Sequence, residues 1–438
     1  MTALPREINY APKLNALPNS TSCLSAVVAP SNGQSFSDGG SLIQFDLPSR
    51  GYLVPGSMYI RYKATAVCPG AAAVSTPMKG TPVYTPFARL ETICGSAIIE
   101  SIQQYNQLAN IIVNTKLNHA QKAGLAYAFG IGDVNNTTIT YANLNSRNVV
   151  SLGVGAPVSW SMSAPLGCIL SNADHLVPLG KMPGCRIQLT TENIGNMFMS
   201  LGVANPTSLT LTNMELCFDI IDFGNEIDSV VDSMADENGN IYIKSQSFTS
   251  SNQNLASGTT GMVELVYNQR LSSIKSLIAN FGRQSGAISG GIFESVDPTN
   301  SNGDFQFLVA SAPFPPRPLS TAQNKAGILL ELSNCWGPVH DMTSTNMSIT
   351  PYEFTAESQT TITPTSYLLP GKFYVGVNTE RLSTAGNLLT GVSSQLSPIS
   401  LRINIGTATD EIHSCTLITC YDALIEVNVA TRQVAVKQ

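Results

Sequence analysis

Charge is scarce in this chain. Of its 438 residues, 12% are Asp, Glu, Lys or Arg, about half the ~25% of an ordinary soluble domain. The 23 Lys and Arg form no run, and residues 1–24 hold only Arg6 and Lys13. Phosphate backbones are held by clustered cations, so no direct nucleic-acid binding is expected. No apolar stretch approaches the ~18 residues of a membrane span. The first twenty residues lack the apolar segment of a secretion signal. Histidine is rarer still. His119, His175, His340 and His413 are dispersed, with no H-E-x-x-H and no pair at i, i+4. There is no G-x-S-x-G elbow, because in Gly282-Arg283-Gln284-Ser285-Gly286 the serine falls one place late.

The nine cysteines (Cys23, Cys68, Cys94, Cys168, Cys185, Cys217, Cys335, Cys415, Cys420) are odd in number and include no C-x-x-C. Zinc sites want ligands close in sequence, with histidines to match. Cys415 and Cys420 are the nearest pair, and five residues along a strand put them on opposite faces. The expectation is that most are buried reduced thiols, with no intrachain disulfide and synthesis in a reducing cell interior.

What the chain has in quantity is 47 Ser, 37 Thr, 34 Asn, 34 Gly and 25 Pro. Long helices draw on Ala, Leu, Glu, Lys and Arg, so a mainly helical fold is disfavoured. At 43% hydrophobic the chain is not globally disordered. These numbers describe turns and strands with polar outer faces. In 41–49, Ile43, Phe45 and Leu47 alternate with Leu42, Gln44 and Asp46. In 57–67, Met58, Ile60 and Tyr62 share a face. Further strands are predicted at 240–250, 261–268 and 305–310. At 272–282 the spacing of Ile274, Leu277, Ile278 and Phe281 is helical, but the flanking turns and short length favour a strand.

Helical spacing over Ile98, Ile102, Tyr105, Leu108 and Ile112 predicts one helix. A second is predicted at 226–234 from Ile227, Val230, Val231 and Met234, with Asn225 as N-cap. A short third follows at 325–333. The proline cluster Ala312–Pro318 reads as a stiff connecting loop, with a polyproline ligand for a partner as the other reading.

The chain repeats at long period. Cys217-Phe218-Asp219 aligns with Cys420-Tyr421-Asp422, 203 residues on, and Gln121-Lys122-Ala123-Gly124-Leu125 with Asn324-Lys325-Ala326-Gly327-Ile328 at the same offset. A looser match at 204 joins Ser57–Ile60 to Gly261–Glu264. Two β units of ~200 residues are each too long for an immunoglobulin sandwich and suit an eight-stranded jelly roll. The expected fold is all-β, two tandem eight-stranded jelly-roll barrels with a few short helices in the connections. The expected divisions are an extended arm at 1–24, a first roll at 25–224, a linker with a helix at 225–243 and a second roll at 244–438.

No residue pattern in the sequence makes a complete catalytic or metal-binding motif. His340-Asp341 resembles half an acid–base dyad, but a loop histidine explains it as well. Gly130-Ile131-Gly132-Asp133 lacks the rest of a phosphate loop. Asp232, Asp236 and Asn238 lack the alternating order of a calcium loop. The sequons at Asn19, Asn135, Asn136 and Asn346 arise by chance in a chain so rich in Asn, Ser and Thr. No catalytic, cofactor or metal residue is assigned.

Tandem jelly rolls with little charge, no active site and an extended arm resemble the double jelly-roll major capsid proteins of double-stranded DNA viruses, the lineage of adenovirus hexon. The chain looks most like the compact capsid proteins of Polinton-like viruses and virophages. The stretch Tyr267–Phe281 and the loop Phe314–Pro318 carry the likeness, and the architecture extends it over about 25–438. The resemblance implies a non-enzymatic shell subunit, residing in the virion and forming pseudo-hexameric homotrimers. Neighbouring capsomers, penton and minor capsid proteins would be its partners, with contact to an internal membrane left open. Few charges and many small polar side chains fit large interfaces independently, since burying unpaired charge is costly. A receptor- or carbohydrate-binding β-protein is the alternative, and it would need an aromatic cleft or calcium site. A two-barrel cupin-like enzyme would need a His/Glu metal cluster.

Overall fold

The computed structural model describes residues 21–67, 75–131, 138–139, 149–151, 157–198, 206–283, 293–336, 347–355, 367–368, 371–380 and 389–438. Sixteen strands in it form two sets of eight. The first set is β1 (Ser22–Val28), β2 (Leu42–Asp46), β3 (Tyr59–Val67), β4 (Phe87–Cys94), β5 (Ala97–Gln103), β6 (Val158–Pro165), β7 (Cys185–Thr191) and β8 (Ser208–Asp222). The second is β9 (Asn240–Leu255), β10 (Gly261–Tyr267), β11 (Ile274–Arg283), β12 (Gly303–Val309), β13 (Ala312–Ser320), β14 (Tyr374–Asn378), β15 (Ile399–Ile405) and β16 (His413–Asn428). All the pairings within these sets are antiparallel.

In the first set one sheet runs β1-β8-β3-β6 and the facing sheet β2-β7-β4-β5. The second set repeats that order, as β9-β16-β11-β14 and β10-β15-β12-β13. Each strand of the first set thus has its counterpart eight strands later. This is the jelly-roll order twice over. Short strands at Ser35–Ser37, Tyr52–Leu53, Val177–Pro178 and Val434–Lys437 extend the sheets.

Alternation builds the cores. Ile60, Tyr62, Ala64 and Ala66 of β3 point inward, as do Ile43 and Phe45 of β2. In the second set Phe281, Phe305 and Phe373 are fully buried, with ring centroids 5.3–6.2 Å apart. Each such side chain contributes about 1.5–3 kcal/mol through burial.

The repeat in the sequence is partly a repeat in the fold. The Cys-aromatic-Asp matches fall on β8 and β16, which occupy the same place in their sheets. The Gln121–Leu125 and Asn324–Ile328 matches fall on helices in equivalent connections, α2 (His119–Gly124) and α4 (Lys325–Asn334). They are out of step by three residues, however: Asn324 caps α4 whereas Asn118 caps α2. The match at 204 joins β3 to β10, which are not counterparts.

Four expectations need correction. Residues 98–112 are not one helix: Ile98 and Ile102 lie in β5, and α1 (Tyr105–Lys116) starts only after Gln104, whose φ of 52° breaks the chain direction. The proline run 312–318 is strand β13, paired at Phe307↔Phe314 and Leu308↔Pro313. Proline has no N–H for a further partner, which confines such a strand to the sheet edge. The extended arm ends sooner than residue 24, because Ser22 already pairs with Asp222; residues 1–20 lie outside the described residues. Helix α3 (Asn225–Ser233) stands where a helix was expected, but Gly224 occupies the cap position and no side chain caps the helix.

Candidate functional site

The sequence candidates for chemistry do not converge. His119 starts α2, His175 sits in a turn and His413 opens β16, while His340-Asp341 lies outside the described residues. Asp236 is committed to its own turn, accepting from the backbone N–H groups of Asn238 and Asn240 and from the Tyr242 hydroxyl at 2.7–2.9 Å. The eight described cysteines are free thiols. The fold does bring together one pair that spacing did not reveal. Cys94 and Cys185 face each other across β4 and β7, with their sulfurs 2.8 Å apart.

Polar side chains concentrate instead at the junction between the two strand sets. Glu100 of β5 is 2% exposed. Its Oε2 accepts from the Thr92 hydroxyl at 3.0 Å and the Ile169 N–H at 2.8 Å. Its Oε1 accepts from Ser247 of β9, which belongs to the other set. Burial pushes the Glu100 carboxyl up to about 7 even though these three bonds favour the ionised form. Around it, β9 lies along the first set. Ser245 donates to the Ile169 carbonyl at 2.5 Å, the Asn172 amide to the Gln246 carbonyl at 3.1 Å, and the Asp174 N–H to the Lys244 carbonyl at 2.9 Å.

A second polar contact flanks the first. The Trp336 indole donates to Thr115 of α1 at 2.9 Å, and Ser348 donates to the Asn114 carbonyl at 3.1 Å through both its N–H and its hydroxyl. Lys122 of α2 is buried and donates to Asn114 Oδ1 at 2.6 Å. Burial holds its ammonium well below the usual lysine range; nearby Lys372 adds to this, and Glu353 opposes it. Glu353, in the short helix α5 (Pro351–Thr355), pairs with Lys372. Burial raises the Glu353 carboxyl, but Lys372, the Thr350 N–H and Lys122 outweigh it and hold the group below its ordinary range. The linker helix α3 is tied to the first set as well, through Tyr52 to Asp228 at 2.6 Å and Lys181 to Asp232 at 2.8 Å. These groups would be left unpaired and dry if the halves slid, so they fix one mutual orientation.

None of this was assigned from the sequence. A lone acid inside the apolar run Ala97-Ile98-Ile99-Glu100-Ser101-Ile102 was the available signal for Glu100.

Outside the junction, large apolar side chains face solvent on both sets. Leu24 and Val27 project from edge strand β1, and Met262 and Val266 from edge strand β10. Val230 of α3 and Met234 at its C-cap are exposed too, so the apolar stripe that predicted this helix is left partly uncovered within the chain.

No family model matches the chain, and no curated protein sequence matches it. Solved structures do. The Faustovirus major capsid protein is 11% identical over 95% of this chain and 92% of its own, with a TM-score of 0.61. A chain of the PBCV-1 virus capsid is 11% identical over 97% of this chain and 98% of its own, at 0.56. A chain of the Sputnik virophage is 10% identical over 100% of this chain and 92% of its own, at 0.56. Coverage this complete takes in both strand sets, and on that likeness the chain has the double jelly-roll fold of viral major capsid proteins.

Proposed function

We propose that the chain is a major capsid protein, a self-assembling and non-enzymatic subunit of an icosahedral virus shell. The observation that carries this reading is the structural likeness along nearly the whole length of capsid chains from Faustovirus, PBCV-1 and Sputnik, in a chain whose own eight-strand order occurs twice. The finer reading is a homotrimer in which three chains supply six barrels, with the two strand sets, opening at Ser22 and at Asn240, as the two rolls and helix α3 between them. The arm at the amino terminus then serves contacts to neighbouring capsomers, with penton and minor capsid proteins as further partners. The locked junction supports this, because a pseudo-hexamer needs two barrels held at one angle. The exposed apolar residues support it too. Leu24 and Val27 belong to the first roll and Met262 and Val266 to the second, as a head-to-tail contact that closes into a ring requires. A binding protein for receptors or carbohydrates has no observation in its favour here.

Sedimentation of the purified protein tests the reading. The expected species has three times the chain mass and persists from low to high salt, since apolar and Ser/Thr/Asn contacts are little screened. Met262→Glu places a charge in the proposed contact and should yield folded monomers. A wild-type monomer at every salt concentration would overturn the proposal.

A further inference from the structure

One cluster of ligating side chains lies apart from the junction. At the turn between β15 and β16, one donor atom each of Asp410, Glu411 and His413 lies within 4.8 Å of the others. His413 is 1% exposed, and neither ring nitrogen has a hydrogen-bond partner. A buried imidazole without a partner is costly, and native structures seldom leave one so. Its Nε2 is 3.9 Å from Asp410 Oδ1. Metal–ligand bonds of about 2.0–2.2 Å place two donors on one ion at roughly 3–4 Å from each other. Asp410 is exposed and free to close the remaining distance, whereas His413 is fixed by the sheet.

We infer that Asp410, Glu411 and His413 form a binding site for a divalent transition-metal ion of the zinc type. The donor set selects the class. Imidazole nitrogen with carboxylate oxygen suits zinc and its neighbours, while calcium and magnesium take all-oxygen shells. Arg283 is the register partner of His413 on β11 and also pairs with Glu411. It therefore orients that carboxylate from behind, as outer-shell partners of metal ligands do. The ion would tie the exposed turn to the central strand of the second roll. This inference does not depend on the capsid reading.

The test uses the full-length protein, stripped with a chelator, and Co²⁺ or Zn²⁺ alone. Equilibrium dialysis should find one ion per chain, Co²⁺ should develop a visible d–d band, and Zn²⁺ should raise the melting temperature. His413→Ala should abolish all three. Asp410→Asn changes only an exposed side chain, so it should fold normally and bind at least about tenfold more weakly. Two results would each overturn the site: no saturable uptake by the wild type, or uptake that Asp410→Asn leaves unchanged. Equal competition by Ca²⁺ would overturn the zinc-type assignment.

Discussion

The central strands of the two rolls hold the same position and are patterned differently. In β8 buried and less buried residues alternate along most of its length, the pattern of a strand with one covered face. In β16 eleven successive residues from His413 to Ala423 are buried. The difference lies in what covers the outer face. Helix α4 packs over the sheet of the second roll, with Ile328 and Leu332 fully buried, and Cys335 of its C-cap reaches the Leu277 carbonyl. Strand β9 then wedges between β16 and the first roll. A duplicated topology can therefore be kept while its hydrophobic pattern is rewritten, because the strand order depends on the inner faces alone.

The largest expected effect breaks or confirms the coupling of these two cores. Phe281→Ala removes a fully buried ring 5.3 Å from Phe305, and Phe87→Ala removes a fully buried ring of the first roll, 5.5 Å from Tyr62. Each should cost about 3–5 kcal/mol. Unfolding one roll alone would strand the junction groups around Glu100 and Lys122 without partners. Both variants should therefore shift a single urea transition, followed by fluorescence and circular dichroism together. Two transitions, with each variant moving only its own, would show that the rolls are independent.

Glu100 gives the next effect. Its carboxyl stands at about 7 in the folded chain against an ordinary 4.5. The folded form therefore holds its proton after the unfolded chain has lost it. Below pH 4.5 both states are protonated and there is no penalty. The penalty grows as pH rises from 4.5 to 7 and is complete above that, on the order of 3 kcal/mol. Glu100→Gln keeps a neutral side chain at every pH. Its stability at pH 8 should exceed that of the wild type, and the slope between pH 4.5 and 7 should shrink. An unchanged slope would place the junction carboxylate in a wetter site than the structure does.

The contrast between the rolls also explains what could be read beforehand. Strands 41–49 and 57–67 were legible because one face is covered and period two survives. Strand β11 is buried on almost every residue, so Ile274, Leu277, Ile278 and Phe281 mimic a helix, and only the turns around them pointed to a strand. At 98–112 a strand runs into a helix through one left-handed residue, and the apolar spacing carries straight across the break. The repeat was visible on β8 and β16, whose Cys-aromatic-Asp triplets are counterparts, but the triplets alone could not show that all sixteen strands follow. The donor cluster escaped notice because Asp410, Glu411 and His413 read as a polar turn. Only the pairing of β16 with β11 buries the imidazole and puts Arg283 opposite it.

The smallest effect concerns the helices that the repeat matched out of step. Both have asparagine caps. Asn118 accepts from the Gln121 N–H at 2.8 Å, and Gln121 returns a bond to the Asn118 N–H at 3.0 Å. Asn324 accepts from the Gly327 N–H at 2.9 Å, with no reciprocal side chain. Replacing a cap by alanine costs about 1 kcal/mol. Asn118→Ala removes the side-chain half of a reciprocal box around a helix of six residues, whereas α4 is also held by Ile328 and Leu332 in the core. Asn118→Ala should therefore lower the urea midpoint more than Asn324→Ala, with unchanged m-values. A larger loss at Asn324 would mean that packing against β14 depends on the cap, and the two connections would then be equivalent in mechanism as well as in place.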